Sequence, residues 1–230
     1  MKNKSYIGIS FIVLIFGIIF IPKIVDRIQK GETVQNDRMS LSNEIKDEAA
    51  KKTLVVMGQV PQFSLTNQDK ATITQDTYKG KVYVLEFFFA SCPSICPVMN
   101  KNMLKLQQQF GKNPDFAIAS ITIDPEKDTS EVLKEHAQSL GVTMKNWHFL
   151  TGDKATIFDL SNKGFNIYAG ESKDKVNGGF EHSGLFALID KKGNIRCRRD
   201  AQGNPILYYD GLEAPGIKAI SEDIQRLLNE

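Results

Sequence analysis

The stretch VYVLEFFFASCPSICP, residues 82–97, decides the fold of this chain. Its first half, Val82–Phe89, is an apolar run of β-branched and aromatic residues that one acidic residue, Glu86, interrupts. Such a run is typical of a central strand buried on both faces of a sheet. The strand leads directly into a close pair of cysteines, Cys92 and Cys96. Because open α/β sheets bind ligands where strands end and helices begin, the sequence predicts a functional position at this pair.

The regions around this stretch are predicted to alternate between helix and strand. Apolar residues recur at near-helical spacing after Pro97, and a second apolar strand, Phe116–Ile123, completes a β-α-β unit. The remaining predicted elements are the helices Ser130–Leu140, Lys154–Lys163 and Ile217–Leu228 and the strands Trp147–Leu150, Leu185–Ile189 and Ile195–Arg198. This alternation predicts an α/β fold in which helices flank a central mixed sheet.

An uncharged run near the N-terminus predicts a membrane anchor. No residue from Ser5 to Pro22 is charged, Lys4 and Lys23 bracket the run, and its length is about that needed to span the hydrocarbon core of a bilayer. A cleavable signal peptide would end in small residues, whereas the first alanine of the chain is Ala49. We therefore expect an uncleaved transmembrane signal anchor.

The chain is predicted to have three parts: the anchor over residues 1–25, a polar tether over residues 26–53, and one folded domain over residues 54–230. A short N-terminal tail before a large soluble domain normally exports that domain. We therefore expect a single-pass protein of the cell membrane, with its domain on the extracytoplasmic (periplasmic) side. The 29 basic and 27 acidic residues form no basic block, which argues against nucleic acid as a partner.

The cysteine pair can hold a soft metal ion or cycle as a disulfide. Two cysteines four residues apart on a helical turn have their β-carbons roughly 5–6 Å apart, which is slightly long for a disulfide and suits two thiolates on one ion. The partial positive charge of a helix N-terminus favours the thiolate form that both uses need. A thiolate pair selects Cu(I) or Zn. Metal binding is geometrically easier, and both uses remain open.

Three histidines could supply a further ligand. His136 lies in a solvated helix pattern and His148 in a short strand, so both are predicted to be surface or core residues rather than ligands. His182 lies in a glycine-rich segment, Gly178–Gly184, that is predicted to be a flexible loop before a strand. Its spacing alone is weak evidence for a ligand.

The third cysteine, Cys197, is predicted to be a buried strand residue, with a free reactive thiol as the alternative.

Three motifs in order resemble the Sco/SenC family of copper chaperones. They are the run Phe87–Pro97 with its Cys-Pro-x-x-Cys-Pro pattern, the block Ile123–Thr129, and Glu181-His182-Ser183 leading into Leu188-Ile189-Asp190. The resemblance implies a thioredoxin-like fold and a copper site, for Cu(I) or Cu(II), formed by Cys92, Cys96 and His182. It also implies a role in building the dinuclear copper centre of cytochrome c oxidase subunit II.

Two aspartates of the middle motif, Asp124 and Asp128, are candidates to orient the site or to meet the charge of a partner. A structural role is an equal alternative, in which Asp128 or Thr129 caps the following helix. The chain departs from the family pattern at Cys197, and none of its departures touches the three expected ligands.

The alternative function is that of a thiol–disulfide oxidoreductase that reduces partner cysteines at the membrane surface. Thioredoxin-like reductases usually carry a cis-proline opposite the cysteine pair, yet the chain has no proline from Asn166 to Leu185. This absence argues against general redox catalysis and leaves exchange with one dedicated partner open. We therefore expect a metallochaperone rather than an enzyme, with Cys92 and Cys96 as the redox pair if they are oxidised.

Overall fold

The computed structural model describes residues 14–18, 20–22, 53–173, 178–200 and 202–230. The chain divides into two compact units, Met1–Ala50 and Lys51–Glu230. In the first unit, the described residues are helical. Among the helices that the structure describes, none is long and apolar enough to cross a membrane. The rest of the predicted anchor, and the predicted tether up to residue 52, lie outside the described residues.

The second unit is built on one large mixed sheet and a separate hairpin. Its strands are β1 (Val55–Gln59), β2 (Ser64–Asn67), β3 (Thr72–Thr74), β4 (Val82–Phe88), β5 (Phe116–Thr122), β6 (Trp147–Thr151), β7 (Ala169–Glu171), β8 (Phe180–His182), β9 (Leu185–Ile189), β10 (Asn194–Arg199), β11 (Pro205–Ile206) and β12 (Tyr209–Asp210). The main path of the sheet runs β1-β10-β9-β4-β5-β6-β2-β3, while β7 and β8 pair only with each other among the described strands.

Four α-helices accompany these strands in the described part of the second unit. They are α1 (Cys96–Phe110), α2 (Ser130–Leu140), α3 (Lys154–Asp159) and α4 (Ala214–Asn229), with a 3-10 turn at Gln75–Tyr78 and a π-helical turn at Leu160–Phe165. The parallel pairs β4/β5 and β5/β6 form the centre of the sheet, and the other pairs are antiparallel. The predicted α/β class with a central mixed sheet is confirmed.

The burial of the central strands explains why their apolar pattern predicted them correctly. Every residue of β4 and β5 is buried, as their nearly continuous apolar runs require. Helix α2 has the predicted bounds because Thr129 caps its first turn and Gly141 ends it in a left-handed conformation.

The predicted helix Lys154–Lys163 is only half right. Helix α3 begins where Asp153 caps it, but after Asp159 the backbone widens into the π-helical turn, which ends at Asn166 with a positive φ of 53°. This turn redirects the chain into β7. The sequence prediction contained neither the π-helical turn nor the hairpin β7–β8. The two strands of the hairpin are each three residues long and carry no clear apolar period.

Candidate metal centre

The two cysteines lie at the carboxyl end of β4, as predicted, but not on one helical turn. Cys96 is the first residue of α1, whereas Cys92 lies in the turn that joins β4 to this helix. A helix that began at Cys92 would need an N–H at Pro97 to bond the carbonyl of Pro93, and proline has none. The expectation of a shared helical turn is therefore wrong.

The turn nevertheless brings both thiols to His182. Nε2 of His182 lies 3.3 Å from Sγ of Cys96 and 3.9 Å from Sγ of Cys92. One ligand atom from each of these three residues lies within 4.8 Å of the other two. In the described part of the chain, this is the one group of three or more cysteine, histidine or acidic side chains close enough to hold a metal ion.

His182 is held by regular structure rather than carried on a flexible loop. It is the last residue of β8 and lies opposite Ala169 of β7, so the loop expectation is wrong. The ring of Phe89 meets the imidazole edge to face, with 5.7 Å between ring centroids. Nδ1 lies 3.3 Å from the carbonyl oxygen of Ser183, which can only accept a hydrogen bond. A proton on Nδ1 leaves the Nε2 lone pair directed toward the thiols.

The two thiols shift each other's pKa in opposite directions. The pKa of Cys92 is lowered to about 3, chiefly by the neighbouring Cys96 thiol and also by His182, against the opposing effect of burial. The Cys92 thiol and burial both raise the pKa of Cys96. In the metal-free pair, these shifts favour the thiolate at Cys92 over the thiolate at Cys96. The thiolate is the form that binds metals and attacks disulfides.

The centre lies just beneath the protein surface. Cys92 is 8% exposed and Cys96 is 2% exposed, while His182 is partly buried. Pro93 and Ser94, between the two cysteines, are exposed. A partner can therefore approach the centre from the side of the cysteine turn.

The two aspartates of the middle motif have different surroundings. Asp128 is buried, and one of its carboxylate oxygens accepts hydrogen bonds from the backbone N–H of Ala90, at 2.9 Å, and from the hydroxyl of Thr122. Asp128 therefore contacts the chain two residues before Cys92. Burial raises the pKa of the Asp128 carboxyl.

Asp124 faces its own turn instead. Its carboxylate pairs with Lys127 at 3.0 Å, and its carbonyl accepts the backbone N–H groups of Lys127 and Asp128. Thr129 caps helix α2 by accepting the N–H of Val132, so the capping alternative holds for Thr129 and not for Asp128.

The comparisons with known proteins agree with this arrangement. The family model described as SCO1/SenC matches residues 55–214, which is more than half of the chain. The chain belongs to the SCO1/SenC family. The match includes both cysteines, both aspartates and His182.

This SCO1/SenC protein is similar to several relatives and solved structures. It is 32% identical to the SCO1 protein homolog of Bacillus subtilis over 158 residues, which cover 67% of this chain and 79% of the relative. BsSco, a member of the Sco family of cytochrome c oxidase assembly proteins with a disulfide switch, is 27% identical with a TM-score of 0.62, over 76% of this chain and 97% of that chain. ScoI of Bradyrhizobium japonicum, solved with copper bound, is 23% identical with a TM-score of 0.56, over 74% and 99%. These structures place the second unit in the thioredoxin-like Sco fold.

The sequence did not identify one buried acid of this SCO1/SenC protein that acts electrostatically on the centre. Glu86 of β4 is fully buried, and its Oε1 accepts a 2.7 Å hydrogen bond from the hydroxyl of Ser120, which in turn accepts the indole N–H of Trp147. Burial raises the pKa of Glu86 to about 7, against the opposing effects of Ser120 and His182. The signal was present in the sequence as one acidic residue within a strand that is otherwise apolar.

The remaining histidines and the third cysteine of this SCO1/SenC protein lie outside the centre. The His136 ring stacks on Phe88 and contacts Asn100, and His148 contacts Asn67. Burial lowers the pKa of both histidines. Cys197 is fully buried in β10, as predicted, and burial raises its pKa.

Proposed function

We propose that this SCO1/SenC protein is a metallochaperone that binds one copper ion through Cys92, Cys96 and His182. The observation that carries the proposal is the convergence of three ligand atoms within 4.8 Å from two separate parts of the chain. Thiolates are soft ligands that suit Cu(I), and imidazole suits copper in both oxidation states. The copper bound to the relative ScoI supports the choice of metal.

A site of this kind suits transfer better than catalysis. Three protein ligands leave a position on the ion for a ligand of the receiving protein, so the metal can pass between them without being released into water. The exposed cysteine turn is the side from which such a ligand would arrive. We infer that the receiver is the dinuclear copper centre of cytochrome c oxidase subunit II, which the role of BsSco in oxidase assembly supports.

The place of action is part of the proposal. The uncharged run from Ser5 to Pro22 supports a membrane anchor over residues 1–25, joined by a tether over residues 26–53 to the domain over residues 54–230. The domain would then work on the extracytoplasmic side of the cell membrane. Full-length protein should remain in the membrane fraction after an alkaline carbonate wash, whereas a chain that begins at residue 53 should be released. Release of both chains would contradict the anchor.

Copper titration of the reduced protein tests the three ligands. Under anaerobic conditions, the wild type should bind about one copper ion per chain, because the three donors form one group. Cys92→Ala and Cys96→Ala should abolish tight binding of Cu(I), and His182→Ala should weaken or alter the binding of Cu(II). Cys197→Ala is the matched control, since it removes a buried thiol outside the group. Unchanged Cu(II) binding in His182→Ala would remove this histidine from the site.

Asp128 is proposed to orient the cysteine turn. Its carboxylate holds the N–H of Ala90, so it acts on the turn through the backbone rather than through the metal. Asp124 contacts neither cysteine within the described structure, and we propose that it stabilises the turn around Lys127 instead.

Thiol–disulfide exchange is a second candidate, favoured by the lowered pKa of Cys92 beside the raised pKa of Cys96. The Cys92 thiolate could attack a partner disulfide, after which Cys96 would release the mixed disulfide, so that two partner thiols form as the pair becomes a disulfide. The disulfide switch of BsSco supports this candidate. A reductase assay that depends on both cysteines and is indifferent to His182 and to copper would favour exchange over copper delivery.

A further inference from the structure

The hairpin that carries His182 needs support from outside itself. Strands β7 and β8 form a two-stranded sheet of three residues each, and an isolated hairpin of this size is marginally stable in water. The position of the imidazole depends on this hairpin, because His182 lies at the end of β8. The group that supports the outer edge of β7 therefore also contributes to where the imidazole lies.

The side chain of Asn162 lies along this outer edge. Its Nδ2 donates a 2.8 Å hydrogen bond to the carbonyl oxygen of Ala169, and its Oδ1 accepts a 3.0 Å hydrogen bond from the N–H of the same residue. Both distances are those of well-formed hydrogen bonds. A primary amide supplies one donor and one acceptor, so Asn162 satisfies Ala169 as a neighbouring strand would.

The register of the hairpin places Ala169 next to the expected ligand His182. Ala169 lies directly opposite His182. Because both backbone groups of Ala169 point outward to Asn162, the two residues form a non-hydrogen-bonded pair, in which the side chains of opposite residues lie closest together. The hydrogen bond from Ser172 N to the carbonyl of Gly179 agrees with this alternation. The buried methyl group of Ala169 thus lies beside the imidazole.

The π-helical turn brings Asn162 to this place. The hydroxyl of Ser161 donates to the carbonyl of Ile167, and the N–H of Ile167 donates to the carbonyl of Ser161 at 2.9 Å. The left-handed conformation of Asn166 closes the turn between them. The turn that interrupts the predicted helix therefore presents an amide to the edge of β7.

We propose that Asn162 is a positioning residue for His182 and acts through the backbone of Ala169. The amide fixes the outer strand, the outer strand fixes β8, and β8 holds Nε2 of His182 against the two thiols. The proposal rests on the proposed copper function only where copper binding is measured. An aspartate at this position would lose the donor and place a negative charge against the Ala169 carbonyl oxygen.

Histidine NMR of the reduced, metal-free, full-length protein tests the proposal without copper. The chain has three histidines, so a sample labelled with ¹⁵N-histidine gives few ring signals, and His182→Ala assigns one set. Asn162→Ala and Asn162→Asp should shift or broaden the His182 ring signals and leave those of His136 and His148 in place. Unchanged His182 signals in both folded variants would overturn the proposal.

Asn146→Ala is the matched control. The Asn146 amide also donates to backbone carbonyls, those of Pro114 and Phe116 at 3.2 and 3.3 Å, but it lies just before β6, at the end of the sheet away from the cysteines. This variant should lose a comparable amount of stability and leave the His182 signals unchanged. His182 signals that move equally in Asn146→Ala would show a general loss of stability and would overturn the proposal.

A double-mutant cycle with copper provides the second measurement. Asn162→Ala should weaken Cu(II) binding about tenfold, as is common when the support of a metal ligand is removed, and should have no further effect in a His182→Ala background. An equal loss in both backgrounds would overturn the proposal, because Asn162 would then act independently of His182. If the wild type bound no copper, the proposed function would fail and the NMR result would still decide the role of Asn162.

Discussion

Glu86→Gln is expected to change how the stability of the domain depends on pH. Glu86 is fully buried in β4, and burial raises its pKa from 4.5 to about 7. The native state therefore holds this proton more tightly than the unfolded state. Its contribution to stability is full at low pH and is lost as the pH rises from about 4.5 through about 7. Glutamine has nearly the same shape, stays neutral, and can still accept the hydrogen bond from Ser120.

The size of the effect follows from the same pKa values. The difference between 4.5 and about 7 corresponds to about 3 kcal/mol of unfavourable free energy once Glu86 is ionised. Among the described residues, Oε2 has no hydrogen-bond partner that would offset this cost. The stability of Glu86→Gln relative to the wild type should therefore increase by up to about 3 kcal/mol between pH 4.5 and pH 8.

Urea unfolding of the reduced, metal-free domain at four pH values between about 4.5 and about 8 measures this difference. Glu135→Gln removes the same charge from an exposed position on α2 and should change stability by less than about 0.5 kcal/mol throughout. A pH-independent difference between Glu86→Gln and the wild type would refute the reasoning, because the buried carboxyl would then ionise at the same cost in both states.

Three further substitutions separate the support of the centre from general stability. Asp128→Ala leaves the N–H of Ala90 without its acceptor, so it should cost about 1–3 kcal/mol in urea unfolding and weaken copper binding about tenfold in a competition titration. Thr129→Ala should lower the free energy of unfolding by about 1 kcal/mol through loss of the helix cap and should leave copper affinity unchanged. An equal loss of copper affinity in Asp128→Ala and Thr129→Ala would contradict the role of Asp128. Lys154→Met breaks the ion pair with Glu171 of β7 and should lower the free energy of unfolding by less than about 1 kcal/mol. This loss should shrink in about 1 M salt, and a loss that does not depend on salt would contradict an electrostatic role.

The elements that the sequence predicted well are those specified by neighbouring residues. Strand β4 is apolar at every position except Glu86 because both of its faces are covered. Helix α2 has a capping residue before it and a glycine after it, so its bounds could be read from Thr129 and Gly141. Both signals lie within the element or beside it, and they do not depend on the rest of the fold.

The elements that the sequence missed are held by distant contacts. The strands of the β7–β8 hairpin are too short to show a period of their own. The amide of Asn162 and the ring of Phe89 support this hairpin from other parts of the chain. A pattern confined to the hairpin could not reveal either contact.

The same distinction between local and distant contacts applies to the metal centre. The sequence by itself determined the place of Cys92 and Cys96, because four residues of covalent chain and the end of a buried strand keep two thiols together. It indicated His182 mainly through the family resemblance, since this histidine lies 86 positions after Cys96 in the chain. Only the tertiary structure decided that Nε2 lies 3.3 Å from Sγ of Cys96, because that distance depends on the pairing of His182 with Ala169. The physical reason is that covalent spacing is local, whereas strand register is set by the packing of the whole domain.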